Sequence, residues 1–372
     1  MNLAVAPIFN KYGYPHLAVT ANSNRSPEMV KRWPNLTFWL GLPSEIIDGL
    51  VTTLDTLRKD GKIGSKVAMA AVGDQFGIER RYADAAQMFA DGGFDFVDIA
   101  TTVQSHRALV ELAAAHKVPA ICQKPFARTL SDAKAMVAAC RTAGIPLMVH
   151  ENFRWQTPIQ AVRKALDAGA IGEPFWGRFS FRSGFDVFSG QPYLAEGERF
   201  IIEDLGIHTL DIARYILGDV KNLTARTRRV NPDIKGEDVA TILLDHEAGA
   251  TSIVDVSYAT KLGTEPFPET LIELDGTEGT IRLSQGYRLE ISNAAGTTVT
   301  DVSPKLLSWA SRPWHNIQES VFAIQQHWAE RLRDGGETST SGADNLKTFA
   351  LVEAAYESAA SGSPVEIGAL LK

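Results

Sequence analysis

Between residues 94 and 150 short apolar runs alternate with helical periodicity, and that alternation leaves few folds open. Phe94-Asp-Phe-Val-Asp-Ile-Ala reads as a buried strand, and a helix follows Gln104-Ser-His106 and runs through Lys117. Val118-Pro-Ala-Ile-Cys122 is a second apolar run. Residues 130–143 then read as a helix, opened by Ser131-Asp132, apolar along Ala135, Met136 and Ala139, and closed by Gly144. Pro146 to His150 is a third run. Short runs that are apolar on both faces belong to parallel sheets. A β-α-β-α-β order then demands parallel strands joined by right-handed crossovers.

The carboxyl ends of parallel strands are where such sheets bind ligands. The second run delivers Gln123 and Lys124 to its end, and Pro125 stops the ladder. A lysine whose stem lies against apolar surroundings there can act chemically. The alternative, a strand-end lysine reaching into solvent, stays open on position alone. Cys122, inside the run, reads as a small buried hydrophobe.

Past residue 150 the pattern changes. Residues 158–168 form a helix closed by Gly169, residues 174–182 alternate as a strand, and 203–217 form a helix ending at Gly218. Alternating strands follow at 222–230, 238–246, 250–258, 269–275, 279–284 and 286–292, with "DHEAGA" and "DGTEG" as turns. Helices at 316–333 and 343–360 flank a Gly/Ser/Thr-rich linker at 335–342. Trp309, Trp314 and Trp328 read as core or subunit contacts. The strands imply a mostly antiparallel open sheet with a face to cover, and hence a homo-oligomer through that face.

On the helix after residue 203, Asp204 and His208 are four residues apart, which puts both on one face, continued by Asp211 and Tyr215. A carboxylate one turn before an imidazole can orient it, making His208 a candidate base for a hydroxyl proton. A structural Asp/His pair is the competing reading.

Composition removes several classes. A net charge of −7 and no basic stripe argue against nucleic acid. Two cysteines, without Cys/His clusters, exclude a disulfide scaffold and disfavour a zinc site, so no metal is expected. No run approaches the roughly 18–20 apolar residues that span a membrane. The first residues lack the basic and apolar regions of a signal peptide, so the expected location is the cytoplasm.

"VDIATTVQSHRALVELAAAHKVPAICQKPFARTLSDAKAMVAACRTAGIPLMVHENFRWQ" and "EDLGIHTLDIARYILGDV", with the closing "ALVEAAYESAASGSPVEI", resemble the Gfo/Idh/MocA family of NAD(P)-dependent sugar and polyol dehydrogenases. The resemblance runs from about residue 80 to the end and is strongest to the branch that includes D-apiose dehydrogenases. It implies NAD or NADP as cofactor and a CH–OH group of a sugar or polyol as substrate. The family's Glu-Lys-Pro corresponds to Gln123-Lys124-Pro125, with Lys124 near nicotinamide and the reacting hydroxyl. Thr101, Thr102 and His106 would approach the nicotinamide ribose. Asn152 and Arg154, after the next strand end with His150 and Trp155, would touch cofactor or substrate. Lys124, His208 and Asp204 are the implied catalytic set, and Arg182, Gln191 and Tyr193 could serve the substrate hydroxyls. For Arg182, Gln191 and Tyr193 a plain surface-loop role remains open.

Residues 1–79 read differently. "APIFNKYGYPHLAVTANSNR", "WPNLTFWLGLPSEIIDGLVTTLDTLRKDGKIGSKVAM" and "DQFGIE" resemble the middle of a periplasmic branched-chain amino acid binding protein. Short strands are expected at Tyr14–Thr20, Leu36–Leu40 and Lys66–Val72, with a helix from Pro43 through Arg58. No Gly-x-Gly-x-x-Gly follows a first strand. The fold class expected is α/β: an incomplete or atypical Rossmann-like parallel sheet domain plus an α+β domain with a large, mostly antiparallel open sheet. The expected domains are 1–150 (nucleotide), 151–340 (substrate and oligomerisation) and 341–372, returning to the first. The missing glycines raise an alternative reading, a catalytically impaired fusion product or scaffold that binds NAD weakly or not at all.

Overall fold

The structure is a computed structural model that describes residues 16–18, 36–38, 80, 82, 84–189, 191–308 and 310–372. Of the expected elements in residues 1–79, strands appear at β1 (His16–Ala18) and β2 (Leu36–Phe38), paired in parallel. The helix expected from Pro43, the strand at Lys66–Val72 and Trp309 lie outside the described residues. Contacts divide the chain into two compact units, Met1–His150 with Ile324–Asp344, and Glu151–Ala323 with Asn345–Lys372.

In the first unit, helix α1 (Ala85–Asp91) starts where the Asp84 carboxylate accepts the Ala86 amide at 2.9 Å. Strand β3 (Val97–Ile99), helix α2 (Val103–Ala115), strand β4 (Ala120–Gln123), helix α3 (Leu130–Ala143) and strand β5 (Leu147–His150) follow in alternation. The three strands pair in parallel, β3-β4-β5, with Ile99, Cys122 and Val149 side by side. Phe96, Val97, Ile99, Ile121, Cys122, Met148 and Val149 are buried on both faces, as apolar runs predict. Helix α3 is capped by Thr129 and ends at Gly144, whose φ of +69° is the left-handed conformation glycine adopts cheaply. Thr340 closes the free side of β5, exchanging bonds of 2.8 Å with both the amide and the carbonyl of Val149.

The second unit is built on a nine-stranded sheet. Its strands are β6 (Pro174–Arg182), β7 (Val220–Arg228), β8 (Val239–His246), β9 (Thr251–Ser257), β10 (Leu271–Gly276), β11 (Gly279–Ser284), β12 (Arg288–Asn293), β13 (Gly296–Asp301) and β14 (Val365–Glu366). They lie in the order β13-β12-β11-β10-β6-β9-β8-β7-β14, and only β6 with β9 is parallel. Strand β13 escapes the sequence pattern because all six of its residues are exposed, leaving no apolar alternation to read. One face is apolar, with Phe179, Phe181, Val254 and Val256 buried. Along the other, register lines up Arg178, Glu273, Arg282 and Glu290, alternating in charge from strand to strand. Helix α4 (Thr157–Asp167) precedes β6. Helix α5 (Ile207–Leu217), with every residue but Tyr215 buried, precedes β7.

The end of the chain divides differently from the expectation that 341–372 returns to the first domain. Helix α6 (His315–Asp334) contributes to both units, and residues 345–372 group with the second. Hydrogen bonds give the reason. In helix α7 (Gly342–Ser361), Ser358 accepts the Ala225 amide at 2.9 Å, Tyr356 donates to Glu237 at 2.7 Å, and Glu353 pairs with Arg199 at 2.9 Å. Val365 then pairs with Leu223 on β7.

Candidate active site

Two sets of polar side chains stand at strand and helix ends, one in each unit. In the first, β4 ends on Gln123, whose amide oxygen accepts the Lys124 backbone amide at 2.9 Å. Thr102 is the residue at which α2 begins, and the Ser105 hydroxyl lies 2.7 Å from the Thr101 hydroxyl. His106, expected to approach the nicotinamide ribose, lies between these two strand ends. It is 1% exposed, and both its ring nitrogens face backbone carbonyls. Nδ1 lies 3.1 Å from the Pro125 oxygen and 3.2 Å from that of Phe126, and Nε2 lies 3.1 Å from the Thr101 oxygen. A ring closed off on both sides is a brace between strand ends. Hydroxyls, a carboxamide and an ammonium group at adjacent parallel strand ends suit the ribose hydroxyls and carboxamide of a nicotinamide nucleotide.

In the second unit His208 meets a carboxylate that the sequence pattern did not single out. The chain forms a π-helical turn over Ile202–Gly206 before α5, so four residues no longer make one regular turn between Asp204 and His208. The Glu151 carboxylate lies on Nδ1 of His208. Glu151 is completely buried, His208 is 4% exposed, and the imidazole stacks on Phe153 with ring centres 3.9 Å apart. A proton held on Nδ1 by a carboxylate leaves the basic lone pair on Nε2. Asp204 acts electrostatically on Tyr258, whose hydroxyl is pushed well above its ordinary pKa, first by burial and then by the Asp204 charge. Glu151 went unrecognised in the sequence, although its signal was there: a carboxylate set directly after the end of a buried strand.

Other expected residues turn out to be held within the unit. Arg154, 4% exposed, forms a two-pronged pair with Asp211, Nε to Oδ2 at 2.7 Å and Nη2 to Oδ1 at 2.5 Å, and lies over the Tyr215 ring. Thr348 donates to the same Asp211 carboxylate at 2.9 Å. The Asn152 amide donates to Ser320 at 2.6 Å. Both side chains, expected to touch cofactor or substrate, thus make hydrogen bonds within the second unit. Strand alternation sets the direction of Arg182, expected to serve the substrate hydroxyls. Phe181 faces Phe153 on the His208 side, so Arg182 points to the opposite face, where Arg178 and Arg182 flank Asp255 at 2.8 and 3.5 Å. Tyr193 is 54% exposed and donates to Gln191 at 2.7 Å. Gln191 lines a cavity of about 410 Å³ with Phe185, Asp186, Val187, Ser189 and Trp314. Trp314 is thus a cavity wall, whereas Trp328 is core of the first unit, edge-on to Phe96. Aromatic contacts run from Phe185 through Phe267 and Phe181 to Phe153, linking that cavity to His208.

Among the described residues no group of three or more His, Cys, Asp or Glu side chains could hold a metal ion. None of the described helices is long and apolar enough to cross a membrane.

One unit carries a donor-lined end of a parallel sheet and the other a carboxylate–imidazole pair, the two kinds of group that a nucleotide-dependent oxidoreductase uses. Comparison with known proteins agrees. The NAD-binding Rossmann fold of the oxidoreductase family matches residues 63–151, and the GFO/IDH/MocA C-terminal domain matches residues 159–282. The chain is 85% identical over 300 residues to D-apiose dehydrogenase of Rhizobium rhizogenes, covering 81% of this chain and 87% of that protein. It is 65% identical over 302 residues to D-apiose dehydrogenase of Paraburkholderia graminis, covering 81% and 80%. A crystal structure of an oxidoreductase from Agrobacterium radiobacter, in complex with NAD+, L-tartaric acid and magnesium, superposes with a TM-score of 0.83 at 70% identity over 95% of this chain and 98% of that one. The chain belongs to the Gfo/Idh/MocA family of NAD(P)-binding sugar dehydrogenases. The match to the NAD-binding fold begins at residue 63, ahead of the expected junction near residue 80, and no finding supports the resemblance of residues 1–79 to a solute-binding protein. The impaired, non-binding alternative likewise finds no support.

Proposed function

We propose that this chain oxidises a carbon-bound hydroxyl of D-apiose, with His208 as the base. The observation that carries the reading is the Glu151 carboxylate on His208 Nδ1, in a chain 85% identical to a D-apiose dehydrogenase. NAD+, the form in the similar Agrobacterium structure, is the proposed cofactor. When bound it supplies the acceptor for the hydride. Thr101, Thr102 and Gln123 would hold its nicotinamide end, and the Lys124 ammonium would stabilise the oxygen as its proton leaves. His208 Nε2 takes that proton, while Glu151 keeps the ring in the correct tautomer and balances the imidazolium that forms. The reaction then balances: the carbon loses a hydride, the oxygen loses a proton to His208, and a carbonyl remains. Asp204 is kept as an electrostatic partner of the site through Tyr258. Gln191 and Tyr193 would meet further hydroxyls of the sugar.

The first unit serves as the nucleotide domain and the second as the substrate and oligomerisation domain. The charge-alternating sheet face favours a homo-oligomer through that face, because alternating rows are self-complementary on a two-fold axis. A dehydrogenase drawing on the NAD pool would work in the cytoplasm. The test is NADH formation by the purified protein with NAD+ and a panel of sugars. D-apiose should give kcat/KM at least about tenfold above the pentoses and inositols, a difference of roughly 1.4 kcal/mol in transition-state binding. Equal rates for the panel would remove the assignment of substrate.

A further inference from the structure

We infer that His106 is a positioning residue for Lys124, acting through the carbonyls of the segment that carries the lysine. This rests on the proposed role of Lys124. The imidazole is buried and bridges two strand ends of the same sheet: Nε2 faces the Thr101 carbonyl after β3, and Nδ1 faces the Pro125 and Phe126 carbonyls after β4. The residue bonded through Pro125 is the next one along from Lys124. Fixing the Pro125 carbonyl therefore fixes the direction in which the lysine leaves the backbone. Gln123 holds the other side, its side-chain oxygen accepting the Lys124 amide at 2.9 Å. The lysine's own backbone is thus held before and after by side chains, although the segment lies past the last ladder bond of β4. A solvent-facing lysine needs no such fixing; a group that must meet a developing oxyanion does, since about 1 Å of misplacement can lower a rate on the order of 10²-fold.

The two ring nitrogens can be tested separately. An Asn amide nitrogen sits close to the Nδ1 position of His, and a Gln amide nitrogen close to Nε2. His106→Asn places an N–H toward the Pro125 and Phe126 carbonyls and leaves the Thr101 carbonyl unmet; His106→Gln does the reverse. Each variant gives up one buried contact, so both should melt at similarly reduced temperatures. If His106 positions Lys124, His106→Asn keeps kcat within about threefold of wild type, while His106→Gln loses about 10–100-fold in kcat with KM for NAD+ nearly unchanged. Equal kcat for the two at equal folded fraction, or a loss confined to KM, overturns the inference and assigns His106 to stability alone. Lys124→Met, assayed alongside with D-apiose and NAD+, separates the premises. Lost turnover in Lys124→Met with indistinguishable His106 variants defeats only the positioning role. Retained turnover in Lys124→Met defeats the lysine reading itself.

Discussion

His106 and His208 are both buried imidazoles in helices next to strand ends, yet their surroundings assign them opposite work. His106 has carbonyl oxygens on both nitrogens, and burial holds its pKa below the ordinary value while those carbonyls pull the other way. Neither nitrogen faces a group with a proton to give. His208 has a carboxylate on one nitrogen and an aromatic ring along one face, an arrangement that orients the other nitrogen for proton transfer. What separates a brace from a base is the partner on each nitrogen, and spacing along the chain carries no record of that.

The sharpest way to break the comparison is His208→Asn. It should lower kcat on the order of 10³-fold with D-apiose, within the span expected for loss of a general base, and leave NAD+ affinity in place, read by cofactor titration. Glu151→Gln keeps the shape and removes the charge. It should lower kcat about 10²-fold and shift the pH–rate profile, whereas a purely packing role would shift only the melting temperature. Arg154→Ala strands the buried Asp211 carboxylate and should destabilise the second unit by about 3–5 kcal/mol in urea unfolding.

A smaller effect belongs to the first unit. Asp98 is buried within β3, and burial raises its pKa from 3.8 to about 7, against a 3.2 Å hydrogen bond from Gln325. The folded form keeps this proton where the unfolded form has lost it, so stability falls as pH rises from about 4 to about 7 and levels off above. Asp98→Asn should flatten the melting temperature over that range; an unchanged slope would place the titrating group elsewhere. Smallest of all is Arg182→Ala. On the sheet face opposite His208 it should change kcat less than about threefold, and a large loss would mean that this face reaches the substrate.

Much of the fold was legible because its signals are local. Apolar runs separated by helical periods gave β3, β4 and β5 in the right order, and period-two alternation gave most of the large sheet. Strand β13 lacked that signal because nothing along it is buried. The site was legible only in part. Lys124 and His208 stand at element ends where chemistry is expected, but spacing by fours carries no sign of the π-helical turn at Ile202–Gly206 or of Glu151 on His208. Arg154 and Asn152 follow a strand end, and their partners Asp211 and Ser320 lie 57 and 168 residues away in sequence. Contacts at such separation leave no periodic trace in a single sequence.

The central claim, that a Glu151-oriented His208 removes the hydroxyl proton of a sugar during NAD+ reduction, is tested most directly by single-turnover NADH formation from D-apiose, wild type against Glu151→Gln and His208→Asn at saturating NAD+. The wild type should give stoichiometric NADH, Glu151→Gln a slowed rate and His208→Asn a slower one still, with unchanged cofactor binding in all three. NADH formed at wild-type rates by His208→Asn would contradict it.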